Sequence, residues 1–99
     1  FNDPVRLDSG KPIGRVDCIW LDIDRVLVSW IEMGAESTNI MFSTVNSAGQ
    51  KSRSIIATQI PPGRASGHPV ISRYRQHIFL AWTEVGEVDE IRSKWLQIN

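Results

Sequence analysis

The sequence predicts an all-β protein made of two four-stranded antiparallel blades of a β-propeller. Three observations support this prediction. The chain carries one motif twice, its apolar segments are short and rich in β-branched and aromatic residues, and clusters of polar residues, Gly and Pro separate them. An internal repeat of roughly 50 residues is typical of propeller blades and solenoid coils.

The repeated motif is a near-continuous apolar run that ends in Trp, with Glu two places on and Gly two beyond that. It occupies residues 25–32 and returns fifty-two residues later at 77–84. The matching residues are Trp30 with Trp82, Glu32 with Glu84, and Gly34 with Gly86. Upstream, the same offset places Cys18 opposite Val70 and Ile19 opposite Ile71; downstream, one residue fewer places Ile40 opposite Ile91.

The first repeat spans about 14–60 and is expected to hold four strands, at 16–21, 25–32, 38–46 and 52–59. The run at 25–32 does not alternate, as expected of a strand that is covered on both faces. A turn at 22–24, a loop at 33–37 and a tight turn at 47–50 separate the strands. In the tight turn Gly49 suits a positive φ.

The second repeat spans about 67–99, with strands predicted at 70–74, 77–84 and 90–98. The apolar spacing between Glu84 and Leu96 also suits a helix, but the matching segment of the first repeat contains Thr38, Thr44 and Val45, so a strand is preferred. Residues 1–8 are interpreted as the fourth strand of a preceding or completed blade. The predicted strand order is therefore d-abcd-abc.

Composition indicates one small globular domain, with 99 residues of which 41% are hydrophobic. Lys and Arg equal Asp and Glu at 11 each, which argues against a nucleic-acid partner. No apolar run reaches the roughly 20 residues of a membrane helix, so no membrane insertion is predicted. The chain shows no signal peptide and does not begin with Met, and it is expected to be a processed product or a piece of something longer.

Cofactor and metal motifs are not found in the sequence. The single cysteine, Cys18, cannot form an internal disulfide, and its apolar position predicts a small buried residue rather than a reactive thiol. His68 and His77 share no metal-ligand spacing with it. Asp22 and Asp24 indicate a turn more strongly than a calcium loop. The prediction is that the chain binds no cofactor.

Segments 14–17, 26–32, 64–69 and 80–84 resemble blades of sialidase-like (BNR-type) β-propellers. The resemblance covers nearly the whole chain but only about two of the family's usual six blades. It implies either a part of a longer propeller or a short chain that assembles into a ring. A periplasmic or extracellular location is favoured by this resemblance alone.

Two departures from the family weaken the implied activity. Family members often carry a Ser-x-Asp-x-Gly-x-Thr-Trp turn between the third and fourth strands, whereas the turn at 47–52 has neither the Asp nor the Trp. Sialidases use an arginine triad and a Tyr/Glu pair, but nothing in the sequence ties Tyr74, the one tyrosine, to such a pair. The fold resemblance therefore does not carry the activity with it.

Charged residues at the start of the first strand of each repeat are the first candidate ligand-binding group. They are Arg15 with Asp17, and Arg64 with His68. The first strand of a propeller blade lies innermost, so these side chains could line the mouth of a channel, where an arginine can clamp a carboxylate. The preferred interpretation is that they make salt bridges between blades and hydrogen bonds in turns.

Tryptophan provides the second candidate group. Trp30 and Trp82 are expected to pack in the core or between blades, because they recur in the repeat. Trp20 and Trp95 have no tryptophan counterpart and are better candidates for an exposed role, such as stacking on a carbohydrate. Glu32 and Glu84 are interpreted as structural residues at strand ends, since a glycosidase pair must lie within roughly 5–10 Å.

Three functions follow from these observations. The preferred one is a non-catalytic propeller module that serves as a binding or assembly scaffold. The alternatives are a part of a sialidase-like glycoside hydrolase and a lectin-like ring of identical chains with a carbohydrate ligand. Because two blades alone leave faces and sheet edges bare, we expect self-association or the remainder of a longer propeller. In a six-bladed ring of three chains, the N-terminal strand of one chain would complete the second blade of its neighbour.

Overall fold

The computed structural model describes residues 3–97, which form seven β-strands and no helix. The strands in chain order are β1 (Pro12–Trp20), β2 (Arg25–Met33), β3 (Thr38–Asn46), β4 (Ile55–Ile60), β5 (Ala65–Tyr74), β6 (His77–Glu84) and β7 (Glu90–Gln97). The first sheet has the order β1-β2-β3-β4 and the second sheet the order β5-β6-β7, and all neighbours are antiparallel. The all-β prediction is confirmed. The preference for a strand over a helix in the segment that ends at Leu96 is also confirmed, because β7 occupies it.

The second sheet has three strands within the described residues, so the four-stranded prediction is met by the first sheet alone. Residues 3–8 form no strand. They cross the first sheet beside Trp30, and a groove of about 270 Å³ remains under them. Their assignment to the fourth strand of a neighbouring blade stays a prediction. Residues 1 and 2 of that predicted strand, and residue 98 of the last one, lie outside the described range.

Each sheet has an inner face, turned toward the other sheet, and an outer face. The Oδ2 of Asp17 accepts a hydrogen bond from the backbone N–H of Ile71 at 3.0 Å, and Lys94 Nζ donates to the carbonyl of Ala57 at 2.9 Å. Between these links lies a single apolar core. Its members include Leu27, Ile31, Ile40 and Phe42 of the first sheet and Ile71, Ile78, Leu80 and Trp82 of the second.

The outer faces follow from strand alternation and register, because residues directly opposite each other in a ladder share a face. The outer face of the first sheet carries Val16, Cys18, Trp20, Val26, Val28 and Trp30. The outer face of the second sheet carries Val70, Phe79, Ala81, Ile91 and Trp95. The outer face of the second sheet also carries the polar residues Ser72, Thr83 and Ser93, and no described sheet covers either outer face.

The observed alignment of the first strands of the two repeats, β1 and β5, differs by one residue from the predicted alignment. Cys18 pairs with Val28, whereas Ile71 pairs with Leu80, the counterpart of Val28, so Cys18 corresponds to Ile71 and not to Val70. The reason is the turn after each strand. The turn between Leu21 and Arg25 holds one residue more than the turn between Tyr74 and His77. The shift reverses which face each residue of β1 was expected to occupy.

Cys18 is exposed, so the prediction of a buried cysteine was wrong. Its position on the outer face of the first sheet explains the difference, since residues 3–97 supply no second sheet there. The other turns follow the sequence. The amide oxygen of Asn46 accepts the N–H groups of Ala48 and Gln50, and Gly49 has a φ of 80°, as predicted.

Candidate functional site

Three of the four predicted site residues at the start of the first strands, Arg15, Asp17 and His68, lie on the neighbouring strands β1 and β5. Arg15 sits in the irregular part of β1, between Gly14 and Asp17, with a φ of 57°. His68 sits in the matching irregularity of β5 and is exposed. Bulges of this kind redirect a side chain, which is how the sheet turns both residues away from the regular ladder.

Asp17 is occupied by structural hydrogen bonds. Its Oδ1 accepts the N–H of Cys18 at 2.8 Å while its Oδ2 accepts the N–H of Ile71 at 3.0 Å. The carboxylate therefore joins the two sheets through a hydrogen bond to a backbone N–H. No ion pair within residues 3–97 includes Arg15 or Arg64.

Arg64 lies in the connection before β5 rather than in a strand. Its N–H donates to the carbonyl of Pro61 and its carbonyl accepts from the N–H of Val85, as expected of a turn residue. The guanidinium lies against Gly86, where an added Cβ would stand 2.7 Å from Nη1. Gly34 is the counterpart of Gly86 and also has a close neighbour. A Cβ added at Gly34 would stand 2.8 Å from Asn39 Nδ2. In both repeats, therefore, a side chain lies close to the glycine, in the space that a Cβ atom would occupy.

Trp20 and Trp95 are exposed, as predicted, at 67% and 57% of their surface. They lie on the outer faces of different sheets, so the structure does not bring them into one site. Trp95 packs against Phe79, with ring centroids 5.0 Å apart. Trp20 lies over a shallow groove that it shares with Asp22, Ile23 and Arg73.

The polar groups beside Trp20 are held by the turn that follows it. Asp22 Oδ1 accepts the N–H groups of Asp24 and Arg25, and Oδ2 accepts from the Arg25 guanidinium at 2.9 Å. The hydrogen bond from the Asp24 N–H, followed by the Arg25 side chain, lowers the pKa of the Asp22 carboxyl below its ordinary value of 3.8. Arg73 donates to the carbonyl of Arg75 at 2.6 Å.

Two features of the site were missed from the sequence. Glu32 is buried, and it accepts hydrogen bonds from the Trp30 indole and from both the N–H and the hydroxyl of Ser9. A groove of about 390 Å³ opens between the sheets, with Arg25 and Arg53 among its lining residues. Its walls come from strands far apart in the chain, so no local pattern indicates it.

Two further observations on the described residues concern groups of metal ligands and membrane-spanning helices. Within 3–97 no three His, Cys, Asp or Glu side chains group to hold a metal ion. The same range contains no helix that is long and apolar enough to span a membrane.

Comparison of the chain with protein-family models, with curated proteins and with solved structures gives no match.

Proposed function

We propose that the chain is a propeller-type module without a catalytic centre of its own, and that it serves as a scaffold for binding or assembly through its outer faces. The observation that carries this proposal is the direction of Trp30 and Trp82. Trp82 lies in the core between the sheets, whereas its counterpart Trp30 lies on the outer face of the first sheet. The two sheets lie one on the other as two layers, and the equivalent residues Trp30 and Trp82 point in the same direction across these layers.

This arrangement supports blades rather than a symmetric sandwich. Two equivalent sheets related by a two-fold axis would turn the same face toward each other, which is an isologous contact. Here the inner face of one sheet is equivalent to the outer face of the other. Such a heterologous stack leaves one face of each kind open, as in a row of propeller blades. The exposed apolar side chains Val16, Val70 and Ile91 support a role of these open faces as contact surfaces.

Photo-crosslinking in cells tests the scaffold proposal. A photoreactive phenylalanine analogue replaces Ile91 on the outer face of the second sheet or Val16 on that of the first. The control carries it at Glu87, an exposed position in the loop between β6 and β7. We expect protein adducts from positions 91 and 16 that position 87 does not give. If all three positions give the same adducts, the scaffold proposal is wrong.

Carbohydrate binding is a second candidate, supported by the exposure of Trp20 beside Asp22 and Arg73. An indole face with polar groups at its edge suits the stacking of a sugar ring. A glycan array with the purified chain tests it, with Trp20→Ala as the variant and Trp95→Ala as the matched control. Binding that survives Trp20→Ala, or an array without any hit, counts against this site. The hydrolase alternative requires turnover of a fluorogenic sialoside by the longest natural form of the protein.

A further inference from the structure

We propose that a second copy of this chain occupies the outer face of the second sheet, in a head-to-tail contact, and that its residues 3–9 add a strand beside β7. This inference rests on the scaffold function proposed above and names its partner. The template for the contact is the interface that the chain already contains, between the inner faces of its two sheets.

The outer face of the first sheet repeats the chemistry of the inner face of the second sheet. The register of the strands matches four pairs of residues: Cys18 with Ile71, Val26 with Ile78, Val28 with Leu80, and Trp30 with Trp82. Each pair is apolar, although Cys18 is smaller than Ile71. A surface that repeats the second sheet is suited to the position that the second sheet occupies.

The outer face of the second sheet likewise repeats the inner face of the first sheet. Leu27 matches Phe79 and Ile40 matches Ile91, while Thr44 matches the larger apolar Trp95. Thr83 takes the place of Ile31 on this face, and Ser93 takes the place of Phe42. Packing the two outer faces of two copies would therefore bury a mixed surface whose large apolar members are Phe79, Ile91 and Trp95. Ile91 is 78% exposed and Trp95 57% exposed in the single chain, so most of this apolar surface is available for burial.

The part-buried link of the inner interface between Asp17 and Ile71 is replaced by apolar groups in the proposed contact. In the inner interface Asp17 accepts the N–H of Ile71. In the proposed contact, Val70 stands in place of Asp17 and Cys18 in place of Ile71. The N–H of Cys18 already donates to its own neighbour, Asp17 Oδ1, at 2.8 Å. The backbone N–H of Cys18 therefore keeps its acceptor in the proposed contact.

Residues 3–9 match β4 and the turn after it. The carbonyl of Lys11 accepts the N–H of Met33 in the same way that the carbonyl of Arg64 accepts the N–H of Val85. Gly10 and Gly63, one residue earlier in each case, both have positive φ, at 134° and 75°. Counting back from these anchors places Leu7 in the position of Ile60, the last residue of β4.

This register gives the added strand two compatible cross-strand pairs. Gln59 pairs with Asn39 and Thr58 with Ile40 in the first sheet, so Arg6 would face Glu90 and Val5 would face Ile91. The first pair joins opposite charges and the second joins apolar side chains, as stable cross-strand pairs do. Ala57 lies at the irregularity between β3 and β4, and its counterpart is Pro4. A proline is tolerated in a strand at such a bulge.

A mixing experiment tests the head-to-tail contact. Val16→Asp blocks the outer face of the first sheet and Ile91→Asp blocks that of the second. Val88→Asp, at an exposed loop position, is the matched control. Sedimentation velocity should show association for the wild type and the control, monomers for each blocked variant alone, and dimers for their equimolar mixture. Each mixed dimer would join one intact face of each kind.

Other outcomes of the mixing experiment overturn the inference. If either blocked variant associates by itself, the contact is isologous, and if the mixture stays monomeric, the two faces do not meet. A wild type that is monomeric at every concentration excludes the second copy as the partner. The scaffold function would still stand in that case if positions 16 and 91 crosslink to a different protein in cells, so the two failures are distinguishable.

A charge exchange tests the added strand by itself. Arg6→Glu and Glu90→Arg should each weaken association by about two- to fivefold, because a like-charged pair replaces an opposite-charged one. The double variant should recover most of the loss. Arg6 also pairs with Asp8, so the control is Asp8→Asn, which breaks that pair and should leave association unchanged. Additive losses in the double variant would show that residues 3–9 do not lie along β7.

Discussion

The indole N–H of Trp30 donates to the carboxylate of Glu32 at 2.9 Å, whereas the indole N–H of Trp82, its counterpart, is buried without a partner among the described residues. The sequence repeat includes both the Trp and the Glu, yet only the first copy makes the bond. Glu32 is also held by Ser9, through its N–H at 2.8 Å and its hydroxyl at 3.0 Å. The residue that matches Ser9 is Pro62, which has no N–H to donate.

This difference predicts unequal effects of the same substitution in the two repeats. Trp30→Phe removes a hydrogen bond to a carboxylate and should cost about 1.5–3 kcal/mol beyond the cost of the smaller ring. Trp82→Phe removes an unpaired donor and should cost the smaller ring alone. Urea unfolding of both variants measures the difference. Equal losses of unfolding free energy would show that the Trp30–Glu32 bond contributes nothing net.

The repeated glycines predict a second inequality. An added Cβ at Gly34 would meet Asn39 Nδ2 at 2.8 Å and the backbone oxygen of Ser37 at 3.1 Å. At Gly86 it would meet the end of the flexible Arg64 side chain at 2.7 Å, which can move aside. Gly34→Ala should therefore cost about 1–3 kcal/mol, as overpacking does, and Gly86→Ala less than about 1 kcal/mol.

Thermal unfolding of the two alanine variants checks this order. The double variant Gly86→Ala with Arg64→Ala is the control, since it removes the side chain that the added methyl group would meet. Its stability should equal that of Arg64→Ala alone. A larger loss for Gly86→Ala than for Gly34→Ala would mean that the Arg64 guanidinium is fixed in place.

Local patterns predicted the strands well because each carries its own signal. The bounds of β3 and β6 agree with the prediction at both ends, and Trp30 and Trp82 are buried as expected. The alignment of β1 with β5 failed because it depends on a single residue in a turn, and composition does not reveal where a turn gains that residue. The prediction that Cys18 is buried failed for the same reason, because it depended on the alignment of β1 with β5.

The candidate site was less predictable, since it depends on contacts between distant parts of the chain. Asp17 was selected as a residue at the start of a strand, but its bond to Ile71 joins residues fifty-four positions apart. The role of Ser9 had no signal in the repeat because its counterpart is a proline. The groove lined by Arg25 and Arg53 exists only once the two sheets have packed.

The bond between Asp17 and Ile71 predicts how strongly the sheets are coupled. Asp17→Ala leaves the N–H of Ile71 without its acceptor in a part-buried position and should lower the unfolding free energy by about 1–3 kcal/mol. Asp17→Asn keeps one acceptor oxygen for two N–H groups and should lose less. Hydrogen exchange of the Ile71 amide should accelerate in Asp17→Ala, with Glu87→Ala as a neutral control. Unchanged exchange would show that packing alone holds the sheets together.

Asp22 predicts a pH dependence of stability whose direction follows from its lowered pKa. The N–H of Asp24 and then the Arg25 guanidinium favour the carboxylate, so the folded chain holds the proton more weakly than the unfolded chain, with its ordinary pKa of 3.8. The contribution to stability is therefore present above the unfolded pKa and is lost as the pH falls through the folded pKa.

Asp22→Asn removes the titration while keeping an oxygen acceptor for the turn. The difference in melting temperature between wild type and Asp22→Asn should be largest near about pH 7 and shrink toward about pH 3. Salt at about 0.5 M should reduce the part that Arg25 supplies, because the pair is exposed. A difference that stays constant over this pH range would show that the Asp22 carboxylate is not what stabilises the turn.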